Sequence, residues 1–197
     1  MSTSPGLALA SVLRLTWWKL AIAVAAGVLT AQCFPPADLG PLAWVALVPL
    51  LFVLTQVRPR GGFVLGLAFG FAFMGLYGGF MLRYGLIPWF ASGVFEALFF
   101  GLFGLVAAAC NRAWHPAVRV LGVAGTWTLA EMLRGGIGGL GFTIGDLGYT
   151  QHDNLPLLQI ASMVGHYGLA PFIVGINAAL TQTLLAVAPR VWARPNV

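Results

Sequence analysis

Apolar residues in this chain come in long blocks rather than in alternation, and each block ends at a short cluster of charge, proline or glycine. Reading the blocks against that punctuation predicts helices over residues 20–33, 42–57, 62–82, 86–109, 118–133 and 167–187. Blocks approaching or exceeding about 18 apolar residues match the hydrocarbon thickness of a bilayer. The first two are short, and Phe34, Pro35, Pro36 and Asp38 between them predict a tight turn, because proline cannot donate a backbone hydrogen bond. Residues 7–15 are expected as an interfacial extension leading to Trp17 and Trp18, side chains that favour the headgroup zone. The expected fold class is therefore all-α, a polytopic membrane bundle of about six transmembrane helices, with residues 1–197 as one transmembrane domain.

Composition agrees with this pattern. Of 197 residues, 59% are hydrophobic and 8% charged, against roughly a quarter charged in soluble domains. The net charge of +5 comes from single Lys and Arg residues dispersed between apolar blocks. They form no stripe of the kind that binds nucleic acid, and no nucleic-acid partner is expected. They do sort by side. With the N-terminus in the cytoplasm, Arg14, Lys19, Arg58, Arg60, Arg112, Arg119, Arg190 and Arg194 fall inside, and only Arg83 and Arg134 fall outside. That asymmetry favours an N-in, C-in arrangement.

Cysteine usage excludes further classes. Cys33 and Cys110 stand at opposite ends of different predicted helices, too few for a disulfide framework or a zinc cage. The bulky Gln32 before Cys33 argues against a cleaved signal there. No glycine loop ends in Lys and Ser or Thr, so nucleotide-driven chemistry has no motif. No cofactor and no metal is expected.

Polar residues within the apolar blocks are the candidates for chemistry or packing. Gly62, Gly66, Gly70 and Gly78 recur in fours on the third helix and predict close approach of a second backbone. Asn177 and Thr181, one turn apart, are expected to bond to a neighbouring helix. Glu96 sits alone in the middle of the fourth helix, where an ionised carboxylate costs roughly 3 kcal/mol or more, so it is expected to be protonated or bonded to a neighbour. Glu131 and Arg134, three residues apart, are expected to pair on one face of the fifth helix. They either anchor that helix end or leave Arg134 free to hold a lipid phosphate. Between them and the sixth helix, residues 134–166 form the longest polar, glycine-rich stretch, an outer loop with a short surface helix near 157–163. His152, Asp153 and His166 in this stretch invite a metal or triad reading. No serine or cysteine stands in a strained, glycine-flanked turn to serve as nucleophile, so they read better as headgroup-facing.

Trp127, Glu131, Leu133, Arg134 and Gly135, followed by Gly141, Phe142, Gly148, Tyr149 and Gln151, and later by Gly165 and Asn177, resemble the fifth-helix and outer-loop signature of the apolipoprotein N-acyltransferases. Phe34 and Pro35, Pro41 and Leu42, Pro49 and Leu50, and the turn from Arg58 to Arg60 are similar to that family as well. Two departures stand out: Phe142, Thr143 and Ile144 replace the family's usual Phe-Pro-Trp, and Phe80 replaces a tryptophan at the outer end of the third helix.

The resemblance implies a bacterial inner-membrane, multi-pass protein with a lateral opening to the outer leaflet. It further implies an enzyme that takes an acyl chain from a phospholipid, holds it as a thioester and transfers it to the amino group of a lipoprotein's diacylglyceryl-cysteine. Family members carry the Glu, Lys and Cys catalytic set in a nitrilase-like periplasmic domain beyond a further helix. Neither Cys33 nor Cys110 matches that thiol, so no catalytic residue is carried over. The expectation is a truncated or split membrane half, inactive by itself, with Glu131, Arg134, Phe142, Tyr149 and Gln151 as lipid-binding or domain-docking candidates and a nitrilase-like domain or subunit as partner. A small transporter and a lipid-binding scaffold remain the alternatives. No internal repeat supports the transporter.

Overall fold

The computed structural model describes residues 17–113, 115–136 and 143–187. The described residues form six α-helices and no strand: α1 (Trp17–Ala31), α2 (Val48–Leu54), α3 (Pro59–Tyr77), α4 (Leu86–Cys110), α5 (Pro116–Gly136) and α6 (Leu155–Val187). Short 3-10 turns cover Gly40–Trp44, Gly78–Tyr84 and Leu147–Gln151. Phe142 and Gly141, the extension at 7–15, and Arg14, Arg190 and Arg194 lie outside the described residues. Three stretches, Pro59–Tyr84, Leu86–Cys110 and Leu155–Val187, are long and apolar enough to cross a membrane, while Trp17–Ala31 and Gly40–Leu54 are shorter apolar segments.

The second expected span is therefore not one rod. Pro41 and Pro49 each stand at the start of a helical piece. Proline removes the N–H that would continue the ladder, and its ring crowds the carbonyl four residues back. Backbone groups freed in this way need partners where water is scarce. Asn177 of α6 supplies them: its Oδ1 accepts from Leu47 N at 3.0 Å, and its Nδ2 donates to Ala43 O at 2.9 Å. Thr181 donates to the Asn177 carbonyl rather than to a neighbouring helix.

The glycine stripe does what its spacing predicts over three of its four positions. A Cβ on Gly62 would strike the Gly104 carbonyl oxygen, one on Gly66 the Phe100 carbonyl oxygen, and one on Gly70 the Phe100 side chain, whereas Gly78 has open space around it. Among the described residues, α3 and α4 thus form the most extensive helix interface. Lipid-embedded helices gain adhesion from such close approach, because burying apolar surface out of hydrocarbon gives no driving force.

Beside this seam, and sharing Phe100 with it, an aromatic cluster joins three helices. Phe69 and Phe100 lie 5.4 Å apart by ring centroids, Phe100 and Trp127 5.4 Å, and Phe103 and Trp127 4.9 Å. The bundle has a cationic end and a polar end. At the first, Lys19 donates to the Gln56 carbonyl and Arg119 reaches Ala113 O and Gln182 Oε1. At the other, Gln151 meets the Gly40–Trp44 turn.

The expected surface helix near 157–163 is continuous with the last span. α6 runs through it and breaks at Gly165, whose φ of 71° and ψ of 175° divide the element into two arms.

Candidate functional site: a buried charge lock beneath the outer loop

Arg134 occupies the last turn of α5, where the backbone carbonyls favour a cation. It is 1% exposed. A guanidinium removed from water needs several acceptors, and the fold brings them from two other segments. Nη1 donates to Glu96 Oε2 of α4 at 3.0 Å, and Nη2 donates to Asp146 Oδ1 and, at 3.2 Å, to the Ile144 carbonyl. The guanidinium carbon stands 5.3 Å from the Phe100 ring centroid, within cation–π range. One side chain thus ties α4, α5 and the 143–146 segment together.

This arrangement corrects the expected Glu131–Arg134 pair. Glu131, 2% exposed, takes other partners, since its Oε1 accepts from Trp127 Nε1 at 2.7 Å and from Leu147 N at 2.8 Å. It fixes the tryptophan of the aromatic cluster and caps the Leu147–Gln151 turn. The Glu96 that looked solitary in the sequence has found the basic partner.

Asp146 is fully buried. Burial pushes its carboxyl above its ordinary range, against the opposing pull of Arg134 and His166. His166 Nε2 lies 3.3 Å from Asp146 Oδ2, an ion pair when the ring is protonated, though without the alignment of a hydrogen bond. Gly145, with φ of 86°, makes the turn that aims Asp146 inward and packs against Phe73, Met74 and Tyr77. Glu96 Oε1, Glu131 Oε2, Arg134 Nε and Asp146 Oδ2 are buried without a hydrogen-bond partner among the described residues. The lock is compact but not saturated.

The loop surface rests on this lock. Tyr149, 44% exposed, stacks on His166 with ring centroids 4.9 Å apart and planes 13° from parallel. Gln151 is buried: Nε2 donates to Gly40 O at 3.0 Å and Oε1 accepts from Trp44 Nε1 at 3.1 Å. Of the sequence candidates, Glu96, Glu131 and Arg134 converge with Asp146, Tyr149 stands on the surface above them, and Gln151 joins the loop to the α1–α2 connection. Asp146 itself escapes a reading by spacing, since a lone aspartate in a glycine-rich loop belongs to no periodic pattern. Charge balance gives no hint of it either, because Glu96 and Glu131 already outnumber Arg134 before a third acid is added.

These features define a class: an apolar helical bundle whose polar end carries a segment, residues 143–151, pinned by a buried arginine. The family model described as apolipoprotein N-acyltransferase N-terminal domain matches residues 26–179. Among curated relatives, the apolipoprotein N-acyltransferase of Geobacter metallireducens is 35% identical over 181 residues, covering 86% of this chain and 34% of its own length. That of Thermotoga maritima is 27% identical over 201 residues, covering 87% and 39%. That of Pseudomonas putida is 30% identical over 191 residues, covering 91% and 37%. The chain belongs to the apolipoprotein N-acyltransferase N-terminal domain family, and it spans little more than a third of the length of these relatives.

Proposed function

We propose that this chain is the membrane-embedded half of an apolipoprotein N-acyltransferase of the bacterial inner membrane, with the cationic end of the bundle in the cytoplasm and the segment 134–166 on the periplasmic face. Its role is to present a phospholipid acyl donor and a diacylglyceryl-cysteine lipoprotein to a nitrilase-like catalytic domain, in the same or another polypeptide. The observation that carries the reading is the family match across residues 26–179, which includes the whole Arg134 lock and the loop above it. In this role Arg134, Glu96 and Glu131 act from below as positioning residues. Tyr149 is the exposed contact for lipid or catalytic domain, and Gln151 holds its loop in place.

A narrow crevice marks where a lateral route for lipid would open. It lies between the Gly78–Tyr84 turn and α4 and is lined by Met74, Phe80, Met81, Gly93 and Glu96 among others. Its ≈ 10 Å³ is about the room of one water molecule, so an acyl chain enters only if the flanking side chains move apart.

Photocrosslinking tests the proposal. A diacylated lipopeptide with a diazirine in one acyl chain, added to the purified chain in phospholipid nanodiscs, is expected to label peptides containing Phe80 or Tyr149. Unlabelled diacylated lipopeptide should compete the labelling away, whereas an unacylated peptide should not. Labelling spread evenly over the lipid-facing surfaces, or indifferent to competitor, would overturn it.

A further inference from the structure

The cationic end of the bundle carries charge that the side chains leave unanswered. All five acidic residues of the sequence, Asp38, Glu96, Glu131, Asp146 and Asp153, belong to the other end, in the Arg134 lock or beside the Leu147–Gln151 turn. Lys19 is the cation for which this matters. Its side chain is only 7% exposed, whereas Arg58, Arg60 and Arg112 are exposed. Water answers an exposed guanidinium, but a buried ammonium needs acceptors and a counter-charge at hand. Among the described residues Lys19 Nζ makes one hydrogen bond, to the Gln56 carbonyl at 3.2 Å, and an ammonium can donate further. The Trp18 ring, its centroid 5.4 Å from Nζ, adds attraction but no negative charge.

Other donors without acceptors stand beside it. Gln56 Nε2, on the residue whose carbonyl Lys19 touches, is buried without a hydrogen-bond partner among the described residues. α3 starts shortly after, at Pro59, and no side chain caps its first turn. Gly62 N bonds back to Arg58 O, so the N–H groups of Arg60 and Gly61 before it have no partner within the helix. Lys19 is level with that turn. Gly27 of α1 packs on the Phe69 carbonyl of α3, and equal steps back along both helices bring Lys19 beside residue 61. The N-terminus of a helix favours a negative charge.

We propose that Lys19, the Gln56 amide and the first turn of α3 hold the phosphate of an anionic phospholipid from the leaflet that faces this end of the bundle. Place and charge together give the ligand class. Trp17, 80% exposed, and Trp18 mark headgroup depth, where phosphate is the anion that a bilayer supplies. Arg58 and Arg60 at the start of α3 add positive charge, so a lipid without a headgroup amine, such as phosphatidylglycerol, fits better than phosphatidylcholine, whose choline answers its own phosphate. Basic pockets between helices take anionic headgroups in this way. The site stands independently of the acyltransferase reading; only the name of the leaflet, cytoplasmic, follows from the topology proposed above.

The test is native mass spectrometry and thermal unfolding of the delipidated chain in detergent, with phosphatidylglycerol, phosphatidylcholine and inorganic phosphate as separate probes. Phosphatidylglycerol is expected to bind more tightly than phosphatidylcholine and to raise the thermal midpoint, while inorganic phosphate at the same concentration should do neither. K19M should weaken phosphatidylglycerol binding by about fivefold or more, the ordinary effect of one cation at a membrane surface. R112Q, which removes an exposed cation from the same end, should leave it unchanged. Q56E supplies a counter-charge from within, so it should raise the midpoint in detergent alone and blunt the effect of the lipid. Equal binding of the two lipids, or equal protection by inorganic phosphate, would overturn the site. So would equal losses in K19M and R112Q, which would reduce Lys19 to one charge in a diffuse surface field.

Discussion

Arg134 is held by groups that it in turn makes tolerable, and this reciprocity sets the pattern of its mutants. Replacing it with glutamine leaves Glu96 and Asp146 buried without their counter-charge, a loss of about 3–5 kcal/mol by the usual cost of breaking a buried pair. The thermal midpoint of R134Q in detergent should fall accordingly. Adding E96Q to R134Q should recover part of the loss, because the second change removes one of the orphaned charges. Strict additivity of the two effects would contradict a shared site. Glu131 should behave differently. E131Q keeps an oxygen acceptor for Trp127 Nε1 and Leu147 N, so it should remain close to wild type, while E131A strands both donors and costs about 1–3 kcal/mol.

Within a single element, α6 shows how backbone conformation and steric space separate. Gly165 and Gly175 both have open space where a Cβ would go. They differ only in torsion: Gly165 has φ of 71°, whereas Gly175 has no such positive φ and sits within the second arm. G165A should therefore destabilise by about 1–3 kcal/mol, because that combination of φ and ψ is essentially restricted to glycine. G175A should be neutral or stabilise by up to about 1 kcal/mol, as glycine-to-alanine changes do inside helices. Comparing the two thermal midpoints isolates the strain from any packing effect. A G165A variant as stable as G175A would mean that the break is not held at that residue.

The helices also show what a sequence discloses and what it withholds. The spacing of Gly62, Gly66 and Gly70 was legible because a stripe needs only one helix's periodicity. The break in the second span was half legible: Pro41 and Pro49 mark where a ladder fails, but not that Asn177, far along the chain, repairs it. Glu131 was legible as a carboxylate near hydrocarbon that needs a partner, and Arg134 at i+3 was the local candidate. Tertiary packing overrode the local pair, because α4 and the 143–146 segment deliver acceptors in two directions at once, which a single neighbour on the same helix does not. Gly165 was noticed only through the family signature, since nothing local distinguishes a hinge glycine from a packing glycine.

For the whole molecule, the two ends make opposite topological commitments. Lys19, Arg58, Arg60, Arg112 and Arg119 cluster at the end where the Lys19–Gln56 and Arg119–Gln182 bonds form. Positive residues are retained on the cytoplasmic side during insertion. In a cysteine-free background, a cysteine at Asp153 should react with a membrane-impermeant maleimide added to intact spheroplasts, and one at Arg112 should react only after lysis. The reverse pattern would place the loop in the cytoplasm and remove the basis for the acyltransferase reading.

The Arg134 lock also imposes an order on biogenesis. A chain made from its N-terminus presents α4 to the bilayer before α5 and the following loop have been synthesised. Glu96 therefore reaches hydrocarbon depth with neither Arg134 nor the Ile144–Asp146 segment yet available. Until they emerge, α4 must be sheltered by the insertion machinery or carry its acid uncharged, and a nascent chain stalled short of Arg134 is an incomplete circuit. The lock closes only once the arginine and the Ile144–Asp146 segment have both arrived.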